Sequence, residues 1–245
     1  MMLETERLLL RPWRESDAED LYRYASDPEV GPIAGWPVHT SIENSREIIR
    51  DVFSAEETYA VCLKEDRRAI GSIGLIPPEQ TQVAAPPTEM EIGFWIGVPF
   101  WGRGYIPEAV REIQRHAFED LGCTALWCGY YDDNEKSKRV QEKCGFAFHH
   151  TEEGVDCPLI GDVRTEHFTY LSREKWKSPI GSYRPSGASE CSRHGLASRS
   201  SNVPPTIFLS RFDCFNRIIQ NAMQLLAGQV CRHVPWGVFG PRKRD

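Results

Sequence analysis

Residues 91–110 read EIGFWIGVPFWGRGYIPEAV, a β-type run that passes through a Pro- and Gly-containing turn into the start of a helix. Glu89–Gly97 is rich in β-branched and aromatic residues and predicts a strand. From Ile106 onward the apolar residues Ala109, Val110, Ile113, Ala117 and Leu121 recur at spacings of three to four, which predicts a helix over 106–121 closed by Gly122. Between strand and helix lies Trp101-Gly102-Arg103-Gly104-Tyr105-Ile106. Two glycines there allow the backbone to approach a ligand closely, and a helix start offers unpaired N–H groups at the positive end of its dipole. That combination suits a pyrophosphate. Pro107 falls in the first helical turn, where its missing N–H costs little. Taken alone, Gly-x-Gly also fits a plain strand-to-helix turn.

Toward the N-terminus, Glu6–Arg11 predicts a strand, Ser16–Asp27 a helix stopped by Pro28, and residues 28–42, with three prolines, a loop. A second helix is expected from Ile42 to Phe53. Thr58–Lys64 and Ala69–Ile76 read as a hairpin across the charged turn 65–68, followed by a loop over 77–87. Toward the C-terminus the pattern gives a strand at Thr124–Tyr131, a helix at Glu135–Cys144 ended by Gly145, a short strand at Phe146–His150 and a last strand at Val163–Leu171. The order β-α-α-β-β-β-α-β-α-β-β is that of a mixed α/β domain with helices covering a sheet.

The 245 residues carry a net charge of −6, which argues against a general nucleic-acid binder. The charge is unevenly spread. Residues 1–176 hold 19 basic and 32 acidic side chains, and residues 177–245 hold 10 basic and 3 acidic. Residues 177–206 are dense in Ser, Pro, Gly and Arg and read as a linker, whereas 212–231 has the pattern of one amphipathic helix. The organisation expected is one domain over 1–176 and a basic, partly disordered tail over 177–245. No run approaches the ~18 apolar residues of a membrane helix, and the acidic N-terminus is unlike an export signal. The expectation is therefore a cytoplasmic protein with no membrane partner and eight reduced cysteines. Without a Cys-x-x-Cys pair, no metal site is expected.

The stretch 91–110, followed by DDNEKSKRVQEKCGF at 132–146, resembles the GNAT superfamily of N-acetyltransferases. It is most similar to the branch containing the ribosomal-protein-alanine N-acetyltransferases, which ERLLLRPWRESDAEDLY at 6–22 also resembles. The likeness spans roughly residues 3–175, with several motifs in order. It implies a mixed, mostly antiparallel central sheet with helices on both faces, and it implies acetyl-CoA as cosubstrate. It further implies that the pyrophosphate lies over the backbone amides of Trp101, Gly102, Arg103, Gly104, Tyr105 and Ile106. In the family's pattern, Gln/Arg-x-x-Gly-x-Gly/Ala, Gly104 fits its slot, while Trp101 and Ile106 depart from theirs.

By the same resemblance, Asn134 contacts the pantetheine arm. Ser137 or Tyr131 returns a proton to the departing thiolate. Asn134 and Ser137 share one turn at a helix start, where both residue types also serve as caps. Glu91, on the strand leading to the turn, is the candidate general base; a carboxylate among Phe94 and Trp95 has a raised pKa, which suits that task. Glu108 is better explained by the helix dipole, and His116, His149 and His150 read as surface or packing residues.

The implied chemistry is direct transfer through a splay between the strand of Glu91 and the strand ending at Tyr131. The acceptor is a primary amine, either a small molecule or a protein N-terminus, drawn from a pocket lined by residues 21–55 and 77–87. An acidic body leans toward a cationic amine. A homodimer stays open, as do a non-catalytic acyl-CoA-binding module and a protein-interaction module. The tail resembles nothing in the family, and an extension without selected function is an equal alternative for it.

Overall fold

A computed structural model describes residues 1–177 except 82 and 84. The tail, with the helix expected at 212–231, lies outside the described residues. The elements are β1 (Leu3–Glu4), β2 (Leu8–Pro12), α1 (Ala18–Ala25), α2 (Ile42–Asp51), β3 (Thr58–Leu63), β4 (Ala69–Ile76) and β5 (Glu89–Ile96). They continue with α3 (Tyr105–Arg115), β6 (Ala125–Tyr131), α4 (Glu135–Lys143), β7 (Ala147–Cys157), β8 (Asp162–Ser172) and α5 (Arg173–Lys177).

The strands form one sheet in the order β1-β2-β3-β4-β5-β6-β8-β7. Every neighbouring pair is antiparallel except β5 and β6. The central strand β4 is buried at all eight positions. Successive side chains of a strand point to opposite faces, so both faces of the sheet are covered there. The cover is helical: α1 packs on β4, α3 on β2, β4 and β5, and α4 on β6.

The helices follow their sequence signals. The apolar positions Ile106, Ala109, Val110 and Ile113 turn α3 toward the core, and Ser41 caps α2 by accepting the Asn44 N–H at 3.0 Å. Strand β2 and helix α1 are tied by an ion pair that the pattern 6–22 does not announce. Arg11 and Asp17 are both buried; the guanidinium makes two parallel bonds of 2.7 and 2.8 Å to the carboxylate. Asp17 also accepts the Arg14 N–H at 2.9 Å, which fixes the turn into α1.

The structure differs from the sequence pattern in three places. The helix predicted over 106–121 leaves α geometry after Arg115 and continues as a π turn over His116–Asp120, with the Leu121 N–H bonded to the His116 carbonyl. His116 is fully buried, the packing alternative of the two expected for it. Its Nδ1 lies 2.9 Å from Asp120 and its Nε2 2.9 Å from Glu57. Second, the short strand expected at 146–150 extends to Cys157. Its second half, HTEEGVDC, is mostly exposed and polar and lacks the apolar alternation that marks a half-buried strand. Third, β1 is only two residues long, too short for a periodic signal.

Candidate active site

The β5–β6 pairing is where the sheet opens. It is parallel and runs only through Glu89↔Ala125, Met90↔Leu126 and Glu91↔Trp127. Beyond that rung β5 continues against β4 to Ile96, and β6 continues against β8 to Tyr131. The backbone groups released at the opening find other partners, as buried polar groups must. The Cys128 thiol donates to the Ile92 carbonyl at 3.1 Å, and the Gly129 N–H donates to the Glu91 carboxylate, which also accepts a bond from the Thr81 hydroxyl. Thr81 belongs to the loop between β4 and β5.

Two cavities meet at this opening. The inner one, about 110 Å³, is bounded by Glu91, Cys128, Gly129, Tyr131 and Glu166. The outer one, about 310 Å³, is bounded by the 101–107 turn, residues 29–34 and one side of α4, from its cap Asn134 to Lys143. Ala34, Phe94, Asn134 and Ser137 border both, so the two adjoin along a line from the turn to Glu91. Its walls are mostly apolar, with a few polar groups converging on them, the usual make-up of a small-molecule site.

At the outer end Gly102 and Gly104 have φ of +72° and +79°, a region that side-chain-bearing residues rarely adopt. Gly104 caps α3. At the start of α3 no backbone bond from the N–H groups of Gly104, Tyr105 and Ile106 to a turn or loop carbonyl is found among the described residues. These N–H groups are the orphan donors of a helix start. Ile106 sends its side chain into the core, so its bulk leaves the turn open. Trp101 is anchored by its indole N–H, which donates to the Ile96 carbonyl at 2.9 Å. The Lys136 ammonium sits 3.3 Å from the centre of the Trp101 ring. Arg139 and Lys143 border the same cavity. The Arg103 guanidinium lies over the Phe100 ring at 5.9 Å, and the Tyr105 ring carries the Arg7 guanidinium at 4.5 Å. Glu108, by contrast, is held away from the cleft by Arg7 at 2.7 Å and by Thr5.

At the inner end burial raises the Glu91 pKa to about 7, against the opposing pull of its bonds from Thr81 and Gly129. The same burial lifts the Cys128 thiol far above its ordinary range, which keeps it protonated and a poor nucleophile. The Tyr131 hydroxyl is hydrogen-bonded to the Cys157 thiol, and the Arg164 guanidinium lies 5.1 Å from its ring. Asn134 uses its side-chain oxygen to cap α4, accepting the Ser137 N–H at 3.1 Å.

The structure thus brings Glu91, Tyr131, Asn134 and Ser137 onto one wall system, with residues 101–106 at its far end. Of the regions expected to line an acceptor pocket, residues 29–34 border the outer cavity, Ala34 borders both, and the 77–87 loop reaches Glu91 through Thr81. Sequence reasoning missed Gly129, Glu166, Thr81 and Gln141. Gly129 had a signal: a glycine inside a strand marks a close approach. A Cβ there would lie 2.5 Å from the Glu166 carboxylate. Among the described residues no group of three or more His, Cys, Asp or Glu side chains is arranged to hold a metal ion, and no helix is long and apolar enough to cross a membrane.

Residues 7–147 match the protein family described as acetyltransferase (GNAT) domain. An uncharacterised N-acetyltransferase of Bacillus licheniformis, p20, is 29% identical over 149 residues, which cover 59% of this chain and 81% of that protein. Among solved structures, a GNAT-family acetyltransferase from Bacillus anthracis superposes with a TM-score of 0.62 at 22% identity, covering 71% of this chain and 99% of that one. The ribosomal-protein-S5-alanine acetyltransferase of Vibrio fischeri superposes with a TM-score of 0.55 at 18% identity, covering 73% and 100%. With the family match spanning more than half of its length, the chain belongs to the GNAT family of N-acetyltransferases.

Proposed function

We propose that this acetyltransferase moves the acetyl group of acetyl-CoA directly to a primary amine, either a small molecule or a protein N-terminus. The observation that carries the reading is the pair of adjoining cavities that leads from the N–H groups at the start of α3 to the Glu91 carboxyl at the sheet opening, where burial raises its pKa to about 7. The first end suits a pyrophosphate; the second suits a base at neutral pH. Lys136, Arg139 and Lys143 add positive charge along the outer cavity, and its apolar walls fit a pantetheine arm.

In this reading the residues of 101–106 hold the diphosphate through backbone N–H groups, and the amide NH₂ of Asn134, free once its oxygen caps α4, donates to the arm. Backbone N–H groups beside Glu91–Phe94 polarise the thioester carbonyl. Glu91 takes one proton from the attacking amine as the C–N bond forms and the C–S bond breaks. Ser137 donates its hydroxyl hydrogen to the departing sulfur and is replenished from water. Tyr131 is the less suited donor, because its hydroxyl is already engaged with Cys157. Much of the acceleration comes from positioning, since the thioester is already activated.

The test is release of free thiol from acetyl-CoA against a panel of amines and N-terminal peptides, with calorimetric titration of CoA alongside. Turnover with at least one acceptor supports the proposal. CoA binding without turnover on any acceptor leaves a non-catalytic acyl-CoA-binding module, and absence of both overturns the proposal entirely.

A further inference from the structure

We propose that Gln141 is a positioning residue for Ser137, fixing the direction in which the serine hydroxyl donates. This deepens the reading above and rests on Ser137 acting at the leaving sulfur.

Gln141 is a glutamine on a helix that is otherwise polar and largely exposed, yet it is 1% exposed. It is the one buried residue of α4. Both N–H donors of its amide and one lone pair of its oxygen are used. Its Nε2 donates to the Gly129 carbonyl at 3.0 Å and to Ser137 Oγ at 3.1 Å. Its Oε1 lies 2.7 Å from the Thr169 hydroxyl, whose single hydrogen also has the Cys128 carbonyl within reach at 3.1 Å. The orientation of the amide follows from chemistry. Gly129 presents a carbonyl, which only accepts, so the nitrogen must face it; the oxygen then faces Thr169, which can donate.

This assignment fixes the serine. A hydroxyl has one hydrogen to give and two lone pairs to receive with. Gln141 fills one lone pair of Ser137 Oγ with an N–H, so the hydroxyl hydrogen points elsewhere. Ser137 borders both cavities, which puts its side chain where the two adjoin. A serine at a helix start otherwise turns its hydrogen toward a nearby backbone carbonyl. The Gln141 bond takes part of the oxygen's coordination and biases it toward the path. The same amide grips Gly129, whose N–H holds Glu91. One buried side chain therefore sets the spacing between the candidate base on β5 and the candidate proton donor on α4.

The experiment is a double-mutant cycle read by steady-state thiol release from acetyl-CoA with the best acceptor of the panel. Gln141→Met keeps volume and removes both donors; Ser137→Ala removes the hydroxyl. The expected result is a loss in kcat of about tenfold for Gln141→Met, with KM for acetyl-CoA within about twofold. In the Ser137→Ala background the same change costs less than about twofold, because the partner it positions is gone. Gln141→Glu is the second variant: it places an acceptor against Ser137 and draws the hydroxyl hydrogen away, so kcat falls at least as far, again only when Ser137 is present.

Losses that multiply in the double variants would mean that Gln141 acts on the fold alone, and the inference fails. So does an unchanged kcat in both Gln141 variants when Ser137→Ala is impaired. An unchanged kcat in Ser137→Ala itself overturns the role of Ser137 and this inference with it. Thermal unfolding of each variant identifies any that fails to fold; the remaining Gln141 variant then decides the cycle.

Discussion

At the scale of single residues the opening between β5 and β6 is a problem of unmatched hydrogen bonds, and its solution creates the chemistry. Once the ladder stops at Glu91, the Gly129 N–H turns to the carboxylate and the Cys128 thiol takes the Ile92 carbonyl. Burial raises the Glu91 pKa to about 7, so the carboxyl is protonated below that pH and able to accept a proton above it. The sign follows: kcat/KM for acetyl transfer rises with pH up to about 7, beyond any rise from deprotonation of the amine itself. Glu91→Gln is expected to remove that limb and lower kcat about 10²-fold or more, measured as pH–rate profiles on one acceptor. A profile unchanged by the substitution would rule Glu91 out as the base. Glu91 and Ser137 were legible because the motifs around them have fixed spacing. Glu166, Thr81 and Gln141 were not, because each reaches the site through a contact between elements far apart in sequence, and nothing local in the chain distinguishes them from surface polar residues.

At the scale of elements, amphipathic patterning located α1 to α4 and most strands, because each presents one apolar side to the core. It failed where an element is not defined by a buried face. The outer half of β7 is mostly polar and buries only Val155 and Cys157 near its end, and the π turn at 116–120 keeps an apolar pattern while changing geometry. The join of β2 to α1 belongs with these. Arg11 and Asp17 lie six positions apart on either side of a turn, where no single helical or strand period relates them, yet their buried pair decides how the first helix leaves the sheet. Removing one member of such a pair leaves a buried charge without its partner. Asp17→Ala is expected to lower stability by about 3–5 kcal/mol, read as a lower urea midpoint with an unchanged slope. Arg11→Met with Asp17→Met together should recover much of that loss, since a well-packed apolar pair has no charge to leave stranded. If the single change costs no more than a surface substitution, the pair does not hold the turn.

At the scale of the whole molecule the sheet is two sheets sharing three rungs. β1 to β5 form one part, β6 to β8 the other, and the cleft between them widens from Glu91 outward. The large core lies mainly with the first part and its helices, and a second, smaller cluster of Val83, Trp127 and Phe168 lies with the other. A ligand filling the path touches β5 and residues 29–34 on one side and β6 and α4 on the other, so it acts as a missing connection. Binding to the folded chain alone stabilises by an amount set by concentration over dissociation constant, about 2.7 kcal/mol at a hundredfold excess. For a domain of this size that is a rise in Tm of about 5–10 °C. CoA added from below to about a hundred times its dissociation constant should therefore move the unfolding midpoint upward with the logarithm of concentration. The rise should be smaller for Lys136→Ala, which removes the ammonium from the Trp101 ring beside the turn. A midpoint that ignores CoA at every concentration would mean that the path does not hold it, whatever the likeness of the fold.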